Sequence, residues 1–297
     1  MTIKNLVFEG GGVKGIAYAG AIHELDVNGL LSDVESVAGT SAGAITAALL
    51  ALDYSSNDII DIINNLNFKN FEDGFDPLRL LTTYGLYKGD VFLNWMKEKI
   101  KHVGLPEDIT FNDLYHQNKK FKTLRIFATD LYTQSIQEFS VKTTPHTIVA
   151  EAVRASMSIP IFFKSWQFSN NQPNNHLYVD GGVLLNYPLS IFDGNSNNFN
   201  ETLGFYLENT SRKPTVNAFG NDHITHYIKS LFDTLLKTQN IDFSVDKVSQ
   251  SRTVIIDDLG ISATDFSLTE QQKQDLMKEG QKATKAFIDK HNLITPV

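Results

Sequence analysis

The chain has 297 residues, 42% of them hydrophobic and 20% charged, and a chain of that length can remove roughly 75% of its unfolded surface from water without staples. It has no cysteine, which excludes disulfide frameworks, thiolate nucleophiles and cysteine-ligated zinc or iron–sulfur centres. Lys and Arg number 26 against 34 Asp and Glu, a net charge of −8, so charge alone draws it neither to nucleic acid nor to an anionic bilayer.

Residues 3–8 are an apolar run that reads as a first strand; with one lysine and no apolar signal-peptide core, the start of the chain predicts a cytoplasmic protein, or one delivered without a cleavable signal, peripheral at membranes while it acts. Glycines follow, then a helical spacing over 13–29 at Val13, Ile16, Ala17, Ala21 and Leu25, closed by Gly29. A strand over 34–38 and an apolar helix over 42–52 come next; that helix is about half the ~20 residues a membrane span needs. Strand, turn, helix, strand, turn, helix implies an α/β fold, a mainly parallel sheet between helices. Further helices are expected over 57–66, over 90–103 with Asp90 as cap and Gly104 as stop, and over 147–157. Strands are expected over 124–131, 136–141, 176–179, 203–207 and 253–256, and Ser267 with Glu270 makes a capping-box pattern ahead of a long last helix. The Asn-rich stretches 169–175 and 193–200 read as surface loops. With no repeat and no long linker, 1–297 is expected to be one domain, 211–297 being a C-terminal extension of it.

Three motifs carry chemistry. Gly39-Thr40-Ser41-Ala42-Gly43 lies between a strand and a helix, where a nucleophile elbow exposes a serine at the positive end of a helix and needs small neighbours; as a bland alternative, Ser41 merely caps that helix. Gly10-Gly11-Gly12-Val13-Lys14-Gly15 also sits at a strand-to-helix junction. It reads as an oxyanion hole built on the amides of Gly11 and Gly12, or as a dinucleotide cradle through the spacing of Gly10, Gly12 and Gly15. The cradle needs an acid at the end of the second strand, yet Asp33 and Glu35 fall at its start. Asp180-Gly181-Gly182, followed by Asn186-Tyr187-Pro188, offers a carboxylate on a tight turn, although Asp-Gly is by itself a common turn sequence.

In this order the motifs resemble the patatin-like phospholipase family over about residues 3–207, and Arg154-Ala155-Ser156-Met157-Ser158-Ile159-Pro160 is similar to a fourth family block. The resemblance implies a patatin-like fold and a phospholipase that releases fatty acid through an acyl-enzyme. Ser41 matches the nucleophile, Asp180 its dyad partner, Gly39 and Gly43 the elbow, Gly181 and Gly182 the aspartate turn, and Gly10, Gly11, Gly12 and Lys14 the oxyanion loop. A Ser–Asp–His triad would draw on His223, His226 or His291 instead. No metal-ligand spacing stands out, so neither metal nor other cofactor is expected; the expected partner is a phospholipid or other acyl-ester lipid, with peripheral membrane contact and no nucleic acid, and a protein activator would have no signature here. A dinucleotide-binding oxidoreductase and a catalytically silent lipid-binding relative stand as rivals. The apolar but Gly- and Pro-broken stretch 66–87 is read as chain packed on the core, or as a mobile cover led by Phe71 and Phe75.

Overall fold

The computed structural model describes residues 2–117, 121–194, 198–210, 227–228, 230–236, 243 and 246–293. Its strands are β1 (Asn5–Phe8), β2 (Ser36–Thr40), β3 (Gly85–Tyr87), β4 (Thr123–Asp130), β5 (Ser135–Ser140), β6 (Ile161–Phe163), β7 (Tyr178–Asp180), β8 (Thr202–Glu208) and β9 (Thr253–Asp257). Helices α1 (Ala17–Val27), α2 (Ala42–Ala51), α3 (Ser56–Asn64), α4 (Asp90–His102), α5 (Phe111–Tyr115) and α6 (Val149–Ser156) are followed, after a helical stretch at 230–236, by α7 (Lys247–Ser251) and α8 (Glu270–His291).

The main sheet runs β5-β4-β2-β1-β8-β9, with β7 also on β4. Pairs β4/β2, β2/β1, β1/β8 and β8/β9 are parallel, and β5 and β7 run antiparallel to β4. The expected mainly parallel sheet between helices is what the structure contains. Its inner strands read as unbroken apolar runs because both faces are covered: Leu6, Phe8 and Val37 pack under α1, α2 and α8, while Val7 and Ala38 pack under Leu185, Tyr187, Leu189, Ile191 and Phe192. α8 returns to α1 at a crossing of glycines. A Cβ on Gly20 would stand 1.9 Å from the Met277 carbonyl oxygen, and one on Gly280 would stand 1.9 Å from that of Ala17.

Several local expectations are corrected. β2 is shifted to 36–40 and includes Gly39 and Thr40, which pair with Ile126 and Phe127; residues that look like a turn are strand because their small size lets the sheet run into the elbow. The helix expected from 13 begins as the 3-10 turn Gly12–Ile16 and becomes α only at Ala17. Asp90 is not the cap of α4. Gly89 holds that position at φ 71°, and the carboxylate of Asp73 accepts the N–H groups of Gly89, Asp90 and Val91 at 2.5, 2.9 and 3.1 Å. The capping box of α8 lies two residues later than expected: Thr269 Oγ1 accepts the Gln272 N–H at 3.2 Å, and Gln272 Oε1 accepts the Thr269 N–H at 2.9 Å. Phe71, one of the pair expected to lead a cover, is core. It ends the 3-10 turn Phe68–Phe71 and meets Phe92 edge-on at 5.3 Å and Trp95 at 6.0 Å; Phe75 is exposed. β3 and β6, unforeseen, form a separate two-stranded parallel sheet.

Candidate active site

β4 places the site. β5 occupies one edge of it from Arg125 to Asp130, and two other strands share the opposite edge. β2 runs along that edge until Thr40 stands opposite Phe127, and β7 approaches from the other end until Asp180 stands opposite Ala128. The two strand ends therefore meet head-on, and Ser41, the residue after β2, faces Asp180.

Ser41 has φ 52° and ψ −121°, a region costly for an L-residue with a side chain. The elbow is closed so tightly that a Cβ on Gly39 would lie 2.2 Å from the Gly43 carbonyl oxygen, and one on Gly43 would lie 2.3 Å from that of Phe8. The Ser41 hydroxyl does not cap α2. It donates instead to Asp180 Oδ2 at 2.7 Å, while the Ser41 N–H donates to Ser156 Oγ at 2.9 Å.

Asp180 is fully buried and engaged at every polar atom. Oδ1 accepts the Gly182 N–H at 2.7 Å, so the turn-forming role expected of an Asp-Gly sequence holds as well. Its carbonyl accepts the Thr129 hydroxyl at 3.0 Å, and its own N–H donates to the Ser158 carbonyl at 2.9 Å. Gly181 opens the 3-10 turn Gly181–Val183 that follows. Burial pushes the Asp180 carboxyl up to about 7, against the hydrogen bonds from Ser41 and Gly182, which pull it down. A carboxyl group with a free pKa of ~3.9 is thereby brought to titrate near neutral pH.

The glycine loop passes beside the serine: a Cβ on Gly10 would lie 3.2 Å from Ser41 Cβ. Gly10 is clamped by Asn186, whose carbonyl accepts its N–H at 3.0 Å and whose Nδ2 donates to its carbonyl at 3.1 Å. The same Nδ2 donates to Glu9 Oε1 at 2.9 Å, and Glu9 Oε2 accepts the Leu207 N–H at 2.7 Å. Burial pushes the Glu9 carboxyl up to about 8. Gly12 has φ 56°, and a Cβ there would meet the Ala263 carbonyl oxygen at 1.8 Å, so only glycine fits. Among the described residues the amides of Gly11 and Gly12, which precede the first hydrogen-bonded turn, donate to no backbone carbonyl. Lys14 is placed differently from its neighbours. Its ammonium is held by Asp258 Oδ2 at 2.9 Å and braces the loop against the chain after β9.

No histidine among the described residues bonds to Ser41 or Asp180. The ring of His291 stacks on Phe287 at 4.3 Å near the end of α8, and His223 and His226 lie outside the described residues. Nor do the described residues bring three or more His, Asp or Glu together as a metal site.

The sequence marks out the block from Arg154 to Pro160 and Asn186 but not the contacts they make, and it gives no motif to Glu9 or Asp258. Ser156 and Ser158 anchor Ser41 and Asp180 from the end of α6. Arg154, fully buried, donates to Ser158 Oγ at 2.6 Å and to the carbonyls of Gly89, Lys88 and Lys164 at 3.0, 2.7 and 3.1 Å. Burial lowers its guanidinium to about 10, which leaves it cationic at neutral pH. One usable signal existed: Glu9 is a charge placed between an apolar strand and three glycines, where only a satisfied buried carboxyl makes sense.

Comparison with known proteins bears on this geometry. The family model described as patatin-like phospholipase matches residues 6–193. The chain is 32% identical over 300 residues to the uncharacterized protein YqhO of Bacillus subtilis, covering 95% of this chain and 97% of that one. It is 27% identical over 192 residues to the probable lipid hydrolase 463L of Invertebrate iridescent virus 6, covering 63% of this chain and 62% of that one. Among solved structures, VipD of Legionella pneumophila aligns with a TM-score of 0.70 at 20% identity, over 98% of this chain and 67% of that one. The type III effector ExoU of Pseudomonas aeruginosa aligns with a TM-score of 0.56 at 19% identity, over 98% of this chain but only 54% of its own. At these identities the two structures speak for the fold.

Proposed function

The chain belongs to the patatin-like phospholipase family, and from that premise we propose that it is a serine lipid acyl hydrolase of the phospholipase A type, with Ser41 as nucleophile and Asp180 as base. Family membership and a relative named as a lipid hydrolase support hydrolysis of lipid esters. The single observation that carries the finer reading is the Ser41 hydroxyl, on a strained elbow, bonding the Asp180 carboxylate at 2.7 Å.

Ionised Asp180 takes the Ser41 proton as Oγ attacks the ester carbonyl. The Oγ–C bond forms, and the carbonyl electron pair moves to oxygen, where the amides of Gly11 and Gly12 and the N-terminal end of α2 meet the charge. Collapse breaks the bond to the glycerol oxygen, which receives the proton from Asp180 and leaves as the lyso product. A water then gives its proton to Asp180 and attacks the acyl-Ser41 carbonyl. The second collapse returns a proton to Ser41 and frees the fatty acid.

The dinucleotide rival loses its remaining support, because β2 ends on Thr40 with Ser41 directly after it, and Glu35 precedes its first residue. A fluorophosphonate probe should label wild type at Ser41 and leave Ser41→Ala unlabelled, and wild type should release free fatty acid from mixed phospholipid. A chain that takes no label and releases no fatty acid is the silent binder instead.

A further inference from the structure

The small β3–β6 sheet carries an apolar surface that catalysis does not use. The 3-10 turn Pro77–Leu81 leads into β3; Leu80 packs against the core, but Leu81 is 82% exposed and Leu78 73%, flanked by Tyr84 at 55% and Phe75 at 53%. Ile161, paired with Gly85, adds 37%. Single exposed leucines need no account, but five large apolar side chains on this turn, its two flanks and the start of β6 do. The turn is built to hold them outward. Asp76 Oδ1 accepts the Leu78 N–H at 2.9 Å, and Arg79 Nη1 donates to the carbonyls of Gly74 and Leu86 at 2.6 and 2.9 Å.

Beside Leu78 opens a cavity of about 380 Å³ lined by Arg79, Lys88 and Lys164 together with Asp76 and Asp90. In a chain of net charge −8, cations here outnumber carboxylates by three to two. Leucine and tyrosine beside Lys and Arg match the two layers of a bilayer interface, acyl chain and phosphate. The surface also adjoins the dyad. Ile161 follows Ser158 by three residues, at most ~11 Å of extended chain, and the Ser158 carbonyl accepts the Asp180 N–H. Arg154 ties Ser158 to the carbonyls of Lys88 and Lys164.

We propose that Phe75, Leu78, Leu81 and Tyr84, with Lys88 and Lys164, form the docking surface for an anionic phospholipid bilayer. The proposal rests on the lipid-hydrolase reading, so its test separates binding from turnover. Co-sedimentation with phosphatidylcholine vesicles containing phosphatidylserine is measured in the Ser41→Ala background. Leu78→Asp with Leu81→Asp should lower partitioning about tenfold or more, since each buried leucine contributes more than one power of ten at full transfer. Lys88→Ala with Lys164→Ala should weaken binding to the serine-lipid vesicles and leave binding to pure phosphatidylcholine unchanged. With Ser41 intact, the leucine pair should retain hydrolysis of a short-chain soluble ester; Leu81→Ser repeats the measurement if the double variant does not fold. Unchanged partitioning in the leucine variants overturns the proposal. So does a wild-type dimer in sedimentation velocity that those variants dissolve, which assigns the surface to a second copy. A wild type that binds vesicles through these leucines yet hydrolyses nothing overturns the hydrolase reading and leaves the surface standing.

Discussion

Asp180 is a fully buried carboxyl group, and on the proposed mechanism its protonation sets both rate and stability. With its pKa raised to about 7, kcat/KM should rise with pH through about 7 and then level off, because only the ionised form can accept the Ser41 proton. Stability should move the other way. The native state holds a proton on Asp180 that the unfolded chain loses near pH ~4, so folding weakens as pH rises from there to about 7. Asp180→Asn, which cannot ionise, should abolish turnover yet be more stable than wild type above neutrality, by at most about 4 kcal/mol, the gap closing toward pH ~4. Urea titrations of both proteins at several pH values check this, and a gap that widens on acidification contradicts it. The proposed oxyanion loop can be probed at Gly11, where an added Cβ meets the end of the Leu207 side chain at 2.5 Å and Lys14 Cε at 3.6 Å, and no backbone atom. Gly11→Ala should fold and lower kcat by about 10²-fold with little change in KM; a change confined to KM would remove Gly11 from the oxyanion hole. Ser41, Asp180 and the glycines were legible in sequence because strained turns demand those residue types at fixed local spacing. Glu9, Ser156 and Asp258 were not, since each earns its place through a partner far away in the chain.

At the scale of elements, what sequence hides is the donor that comes from elsewhere. The periodicity of α4 was readable, but its cap was not, because Asp73 reaches the helix start across sixteen to eighteen positions of chain. Asp73→Ala should therefore cost about 1–2 kcal/mol, whereas Asp90→Ala should be close to neutral. Thermal unfolding of the two variants decides, and the reverse order would restore Asp90 as the cap. The same distance effect hid β3 and β6. Each has three residues, too few for alternation to register, and the chain just after each is tied to Arg154 of α6 through the carbonyls of Lys88, Gly89 and Lys164. β2 was displaced by two residues for the opposite reason: its glycine and threonine look like turn locally and are held as strand by β4.

At the scale of the whole molecule the alternation of strand and helix was enough to foresee a parallel sheet, while strand order and the return of α8 were settled by packing. The α1–α8 crossing at Gly20 and Gly280 brings the end of the chain against its beginning. Two other contacts do the same: Lys14 to Asp258, and the Val13 N–H to the Ala263 carbonyl. Gly280→Ala would force a methyl to 1.9 Å from the Ala17 carbonyl oxygen and should cost about 3 kcal/mol, the upper end of overpacking. Denaturant unfolding measures it, and a neutral result would show that the helices separate readily. The shared edge of β4 has a consequence for the making of the protein. Ser41 and Asp180 are 139 residues apart in sequence, and at ~5–20 residues per second a ribosome needs roughly 7–28 s to travel between them. Throughout that interval the nascent chain carries a serine with no base, and Asp258, which steadies the glycine loop, emerges later still. On the proposed chemistry, an unfinished chain is harmless to the membranes around the ribosome that makes it.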